Sequence, residues 1–116
     1  MWKIVYYETT KGDVPVKKFI DGLDCKMRAR AAQEIALLQE KGNAIRMPFS
    51  KPLRNGIFEL RIQAASDISR IFYFFYDGKR IVLTNGFIKK TQQTPVAEIE
   101  KALRYKADYE RRAKAK

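Results

Sequence analysis

The chain has 116 residues, 46% of them hydrophobic, with 24 Lys and Arg against 13 Asp and Glu, no His, and a net charge of +11. That length suits one domain spanning residues 1–116, and this hydrophobic fraction fills an ordinary core without staples. A single cysteine and no histidine exclude an internal disulfide, a thiolate or imidazole metal cluster, and any mechanism that needs an imidazole acid or base.

Residues 2–7 are β-rich and predict a first strand, broken by Gly12-Asp13. Asp13 is placed to cap a helix with Pro15 in its first turn and Val16, Phe19 and Ile20 on its apolar side, ending near Gly22. A second helix starts at Asp24. Met27, Ala31, Ile35 and Leu38 recur at helical spacing and Gly42 is its stop, so the two helices form a hairpin. Cys25, beside that start, has no histidine to activate it and reads as structural. Residues 43–52 are a polar, proline-punctuated connection.

Three strands follow, over 58–63, 68–76 and 80–87, joined by a turn at 64–67 and by the hairpin dipeptide Asp77-Gly78. Thr94-Pro95 opens the last helix, with threonine as cap and Val96, Ile99, Ala102 and Leu103 as its packing face. Its cation-rich end beyond Tyr109 is expected to fray. The order strand, helix, helix, three-strand meander, helix predicts an α+β domain with its helices packed on one side of a mainly antiparallel sheet. Trp2, Phe19 and Phe49 are expected in the core.

The basic excess runs through both halves of the chain and favours a polyanionic partner. No run of about 18 apolar residues predicts a membrane span, and the first residues lack a signal-peptide layout, so a cytoplasmic protein is expected. Alternation places Phe58, Leu60 and Ile62 on one face, opposite Glu59, Arg61 and Gln63. Arg70 shares a face with Phe72, Phe74 and Tyr76, while Ile71, Tyr73 and Phe75 take the other. A charge set among such residues needs an acidic partner, an edge position or an anionic ligand. Glu59 is the available partner, and a Glu59 ion pair with Arg70 or Arg61 that merely fixes the sheet stands as the alternative to a phosphate site. Lys89-Lys90 lies just beyond the last strand, where reactive groups collect. No GxxxxGK[ST] or GxGxxG loop, no metal-ligand cluster and no serine with a base is present, so anion-centred chemistry without a cofactor remains.

Three linked segments resemble a known family. They are Lys51-Pro52-Leu53-Arg54-Asn55-Gly56-Ile57-Phe58-Glu59-Leu60-Arg61, Ser69-Arg70-Ile71-Phe72-Tyr73, and Gly86-Phe87-Ile88-Lys89-Lys90-Thr91-Gln92-Gln93-Thr94-Pro95. Together they resemble the phage-derived, HigB-like branch of the RelE/ParE toxin superfamily. The resemblance implies the toxin of a type II toxin–antitoxin pair, neutralised by an antitoxin, commonly of the helix-turn-helix type. It implies a metal-independent endoribonuclease that cuts mRNA on the ribosome. The alternatives are a ParE-like toxin that binds DNA gyrase and cuts nothing, or a degenerate nucleic-acid-binding domain.

By the same resemblance, Arg61, Arg70, Lys89 and Lys90 bind and polarise the scissile phosphate, and Lys89, Lys90 or Glu59 takes the proton of the attacking 2′-OH. The alternative role for Glu59 is to orient Arg61. Lys51, Arg54, Lys79 and Arg80 would add RNA contacts. Some family ribonucleases carry a tyrosine or histidine after the basic pair, where this chain has Thr91-Gln92-Gln93, so the general acid is left unassigned.

Overall fold

The stretch 68–76 offers apolar side chains to both faces of a sheet, so one layer of helices cannot cover it. In chain order, the computed structural model, which describes residues 1–45, 49–88 and 94–115, holds β1 (Lys3–Tyr6), α1 (Pro15–Asp21), α2 (Cys25–Lys41), a 3₁₀ turn (Gly42–Ala44), β2 (Ser50–Pro52), β3 (Phe58–Ala64), β4 (Asp67–Tyr76), β5 (Arg80–Ile88) and α3 (Val96–Lys114). The strands form one sheet in the order β1-β5-β4-β3-β2, antiparallel except where β1 lies parallel to β5.

The α+β class and the β3-β4-β5 meander agree with the sequence reading, but the layering does not. Leu60, Ile62, Ile71, Tyr73, Ile81 and Leu83 pack against α1 and α2. Phe72, Phe74, Val82 and Phe87 point the other way and pack against Ile99, Ala102, Leu103 and Tyr109 of α3. Helices therefore cover both faces. Leaving Phe72 and Phe74 open to water would forfeit about 1.5–3 kcal/mol apiece, and both are fully buried.

Local signals succeeded where one backbone group had one candidate partner. Asp24 caps α2, accepting from the Met27 amide at 2.9 Å. Asp77 and Gly78 both take positive φ, closing the β4–β5 hairpin through Lys79 N–H to the Tyr76 carbonyl. Others failed. Val14, not Asp13, precedes α1, without a side-chain cap. Cys25 is exposed at the start of α2 and fills no core space. Phe49 and Val96 are 42% and 62% exposed. Past Tyr109, α3 continues to Lys114, and Arg112 there pairs with Asp108 at 2.7 Å and donates to the Glu8 carbonyl. Tyr7 completes this clasp between β1 and α3. Its hydroxyl donates to Asp108 at 2.6 Å, and burial, with the Asp108 carboxylate, pushes its phenol up to about 12. Among the described residues no helix is long and apolar enough to cross a membrane.

Two glycines let the helical layer close on the sheet. At Gly86 a side chain would run into the Phe19 ring and the Arg70 carbonyl, so α1 could not seat on β5. Gly42 ends α2 with φ 54, and a Cβ there would enter the Trp2 indole. Gly42→Ala is therefore expected to cost about 2 kcal/mol or more from strain and overpacking. Urea unfolding measures it, and the emission of Trp2, the single tryptophan, should shift to the red. A loss below ~0.5 kcal/mol, the range of neutral surface changes, would refute the close approach.

Candidate active site

Residues directly opposed across an antiparallel ladder share a face. Arg61 on β3 opposes Arg70 on β4, Arg70 opposes Phe87 on β5, and Lys51 on β2 opposes Glu59 on β3. Lys51, Glu59, Arg61 and Arg70 therefore gather on the face that α3 covers. Two guanidiniums facing each other across a ladder repel. The sequence answers with Glu59, two residues before Arg61 on the same face.

Glu59 is 2% exposed and Arg70 8%. They meet at 2.8 Å between Oε1 and Arg70 Nε, with the N–H poorly aimed, so the contact is an ion pair rather than an aligned hydrogen bond. Lys51 Nζ lies 3.9 Å from the same oxygen. The other oxygen, Oε2, accepts from the Thr94 hydroxyl at 2.5 Å. Burial lowers the Arg70 pKa from its ordinary value; the Glu59 charge opposes that shift and the Arg61 charge adds to it. A guanidinium remains charged under such a shift. Among the described residues, Arg70 Nη1 and Arg61 Nε are buried with no acceptor. Orphaned buried donors cost about 1–3 kcal/mol, more when charged. Among the described residues, Lys51, Arg61 and Arg70 set three cations around the Glu59 carboxylate, an arrangement that favours an anion.

The β4–β5 ladder is set for this face by a bulge. Between Ile71↔Gly86 and Tyr73↔Leu83, Thr84 and Asn85 together oppose Phe72. Thr84 Oγ1 bonds the Phe72 carbonyl at 3.3 Å. The extra residue resets the alternation of β5, so Asn85 reaches Glu98 of α3 at 3.4 Å and Phe87 rejoins Arg70.

The other residues expected from sequence divide. Lys89 and Lys90 lie outside the described residues. Arg54 is exposed in the β2–β3 turn. Lys79 and Arg80 sit at the far end of the meander, six residues of β4 beyond Arg70, or about 20 Å along an extended strand. Arg80 is held there by Asp77 at 2.6 Å and by the Tyr109 hydroxyl at 2.7 Å, so neither residue joins the arginine cluster. Tyr73 faces α1 and α2 and shares a hydrogen bond with Ser50, away from the arginines. Thr94 was missed as a site residue. Read as the α3 cap, it caps nothing, because Pro95 holds that position without a side-chain bond. Asn85 was missed because a bulge cannot be read from alternation. Among the described residues no group of three or more His, Cys, Asp or Glu is placed to hold a metal ion.

Residues 18–107 match the family model described as Phage derived protein Gp49-like (DUF891). No curated protein sequence matches the chain significantly.

Proposed function

The chain belongs to the phage-derived Gp49-like family, part of the RelE/HigB-like toxins of toxin–antitoxin systems, and we propose that it is a toxin that cuts mRNA on the ribosome and is neutralised by a cognate antitoxin. The observation that carries this reading is the opposed pair Arg61 and Arg70, whose buried donors lack acceptors among the described residues, on a face with surplus positive charge. A phosphodiester brings one negative charge to such a face, and the five-coordinate phosphorus of the transition state brings a second.

The reaction is attack of a ribose 2′-oxygen on the neighbouring phosphorus. The P–O5′ bond breaks and one product ends in a 2′,3′-cyclic phosphate. The 2′ proton passes to a base and the departing 5′-oxygen takes up a proton. Arg61 and Arg70 would bind the non-bridging oxygens, since forked donors match phosphate, and each well-placed donor is worth roughly 3–4 kcal/mol of barrier. Lys89 or Lys90, the pair that the family resemblance puts forward, would take the 2′ proton, a role that needs a lysine whose pKa neighbouring cations lower. Glu59 has both oxygens engaged and serves to orient Arg70.

The test is primer extension on transcripts translated by purified ribosomes with the protein added. Cuts inside codons are expected. They should fall at least tenfold in Arg70→Lys, which keeps a charge beside Glu59 but loses the planar fork. Binding to single-stranded RNA should weaken with salt at a log–log slope near −0.7 per phosphate contacted. DNA breaks without mRNA cuts would instead support a gyrase poison, and a salt slope near zero would remove the phosphate site.

A further inference from the structure

Breaking the P–O5′ bond leaves negative charge on O5′, which must take up a proton as it departs. A lysine that has just accepted the 2′ proton is not free to supply it, so a second group is needed. Guanidiniums are not deprotonated in proteins, which removes Arg61 and Arg70. Glu59 is an ion-paired carboxylate and only accepts. The Thr94 hydroxyl already gives its hydrogen to Glu59 at 2.5 Å. Tyr73 faces α1 and α2. Lys101 and Lys106 of α3 are each tied to a carboxylate of their own helix, Glu98 at 3.5 Å and Glu110 at 3.1 Å. Among the described residues on this face, Lys51 remains.

Its position suits the task. An in-line displacement has its attacking and leaving oxygens on opposite sides of phosphorus. Lys51 stands on the edge strand β2, separated from β5 by the two strands that carry the arginines. It opposes Glu59, so Arg61, two residues further along the same face, is its diagonal neighbour. Such neighbours lie about 7–8 Å apart, within reach of a long side chain. The Lys51 side chain is 39% exposed, and Nζ is 3.9 Å from Glu59 Oε1, beyond hydrogen-bond length. Charge keeps the ammonium on this face without fixing it. We infer that Lys51 is the general acid, giving a proton from Nζ to O5′ as the P–O5′ bond breaks. The electron pair of that bond goes to oxygen, Lys51 is left as a neutral amine, and water restores its proton before the next turnover. This rests on the mRNA-cutting reading above and supplies the donor it lacks.

Lys51→Ala and Lys51→Arg test it on two ribosome-bound transcripts, one natural and one with sulfur in place of O5′ at the cut linkage. A thiolate leaves without a proton, because thiols are far stronger acids than alcohols. Single-turnover cleavage and thermal melting are measured. On the natural transcript both variants should be slowed about a hundredfold, the scale of general acid catalysis. Arginine should not rescue, since it keeps the charge but holds its proton. On the sulfur transcript both should cut within about threefold of the unaltered protein, because the step they lack is no longer needed. Arg61→Ala, which loses a phosphate contact, should be slow on both. The inference is overturned if Lys51→Arg cuts the natural transcript within about threefold of the unaltered protein, since Lys51 then supplies only charge. It is equally overturned if sulfur restores neither variant. Should Lys51→Ala melt at a lower temperature, Lys51→Arg decides by the same two criteria. Should the unaltered protein cut neither transcript, the mRNA-cutting reading falls and takes this inference with it.

Discussion

Arg61→Ala is expected to lower mRNA cleavage about a hundredfold, the cost of one transition-state donor, while the melting temperature stays unchanged or rises. The two halves of this result come from one geometric fact. Arg61 opposes Arg70 across the ladder, and like charges so placed destabilise the sheet. Removing Arg61 relieves that repulsion and deletes a buried Nε that has no acceptor among the described residues. Glu59 keeps its partners in the exchange, which among the described residues are Arg70, Lys51 and Thr94. A residue kept for architecture would behave in the opposite way, since its loss would leave a partner unpaired and lower the melting point. Urea unfolding and primer extension on the same preparation separate the cases. If Arg61→Ala unfolds the domain, Arg61 belongs to the scaffold; if it cleaves like the unaltered protein, the arginine pair does not hold the reacting phosphate.

The sequence made the arginine face legible because period-two alternation is a strict geometric rule. Once 58–63 and 68–76 are strands, Glu59 and Arg61 must lie opposite Leu60, and Arg70 must lie with Phe72. That the two polar sets meet on one face is a matter of register, and here a two-residue turn at Ala65-Ser66 sets Arg61 against Arg70. The sequence also carried the reason for helices on both faces, in the two apolar sides of β4. The one-sided layering expected from element order overlooked it. Less could be read where a residue had two uses. Thr94 before a proline and a helix looks like a cap, and nothing local reveals a buried carboxylate 35 positions away that takes the hydroxyl instead. The bulge at Thr84-Asn85 was hidden for a similar reason, because the carbonyl it serves belongs to Phe72 on the neighbouring strand.

Glu59→Gln is expected to be the most damaging single change to stability, at about 3–5 kcal/mol, because it leaves a buried cation without its counter-charge. Arg70 is 8% exposed and its guanidinium already lacks an acceptor at Nη1 among the described residues, so water has little access to replace the carboxylate. The neighbouring charges, Arg61 and Lys51, have the same sign and worsen the loss. The same argument predicts a rescue. An anion that binds the folded protein and not the unfolded chain stabilises by mass action. Phosphate should therefore raise the melting temperature of Glu59→Gln more than that of the unaltered protein, compared in chloride of equal ionic strength. A second variant, Glu59→Gln with Arg70→Met, removes both members of the pair. It should recover most of the stability, as apolar replacement of a buried ion pair commonly does, yet gain nothing from phosphate. If the single variant loses less than ~1 kcal/mol, within the scale of exposed ion pairs, or if phosphate acts on both variants alike, the buried charges on this face are compensated elsewhere and the face is not built around an anion.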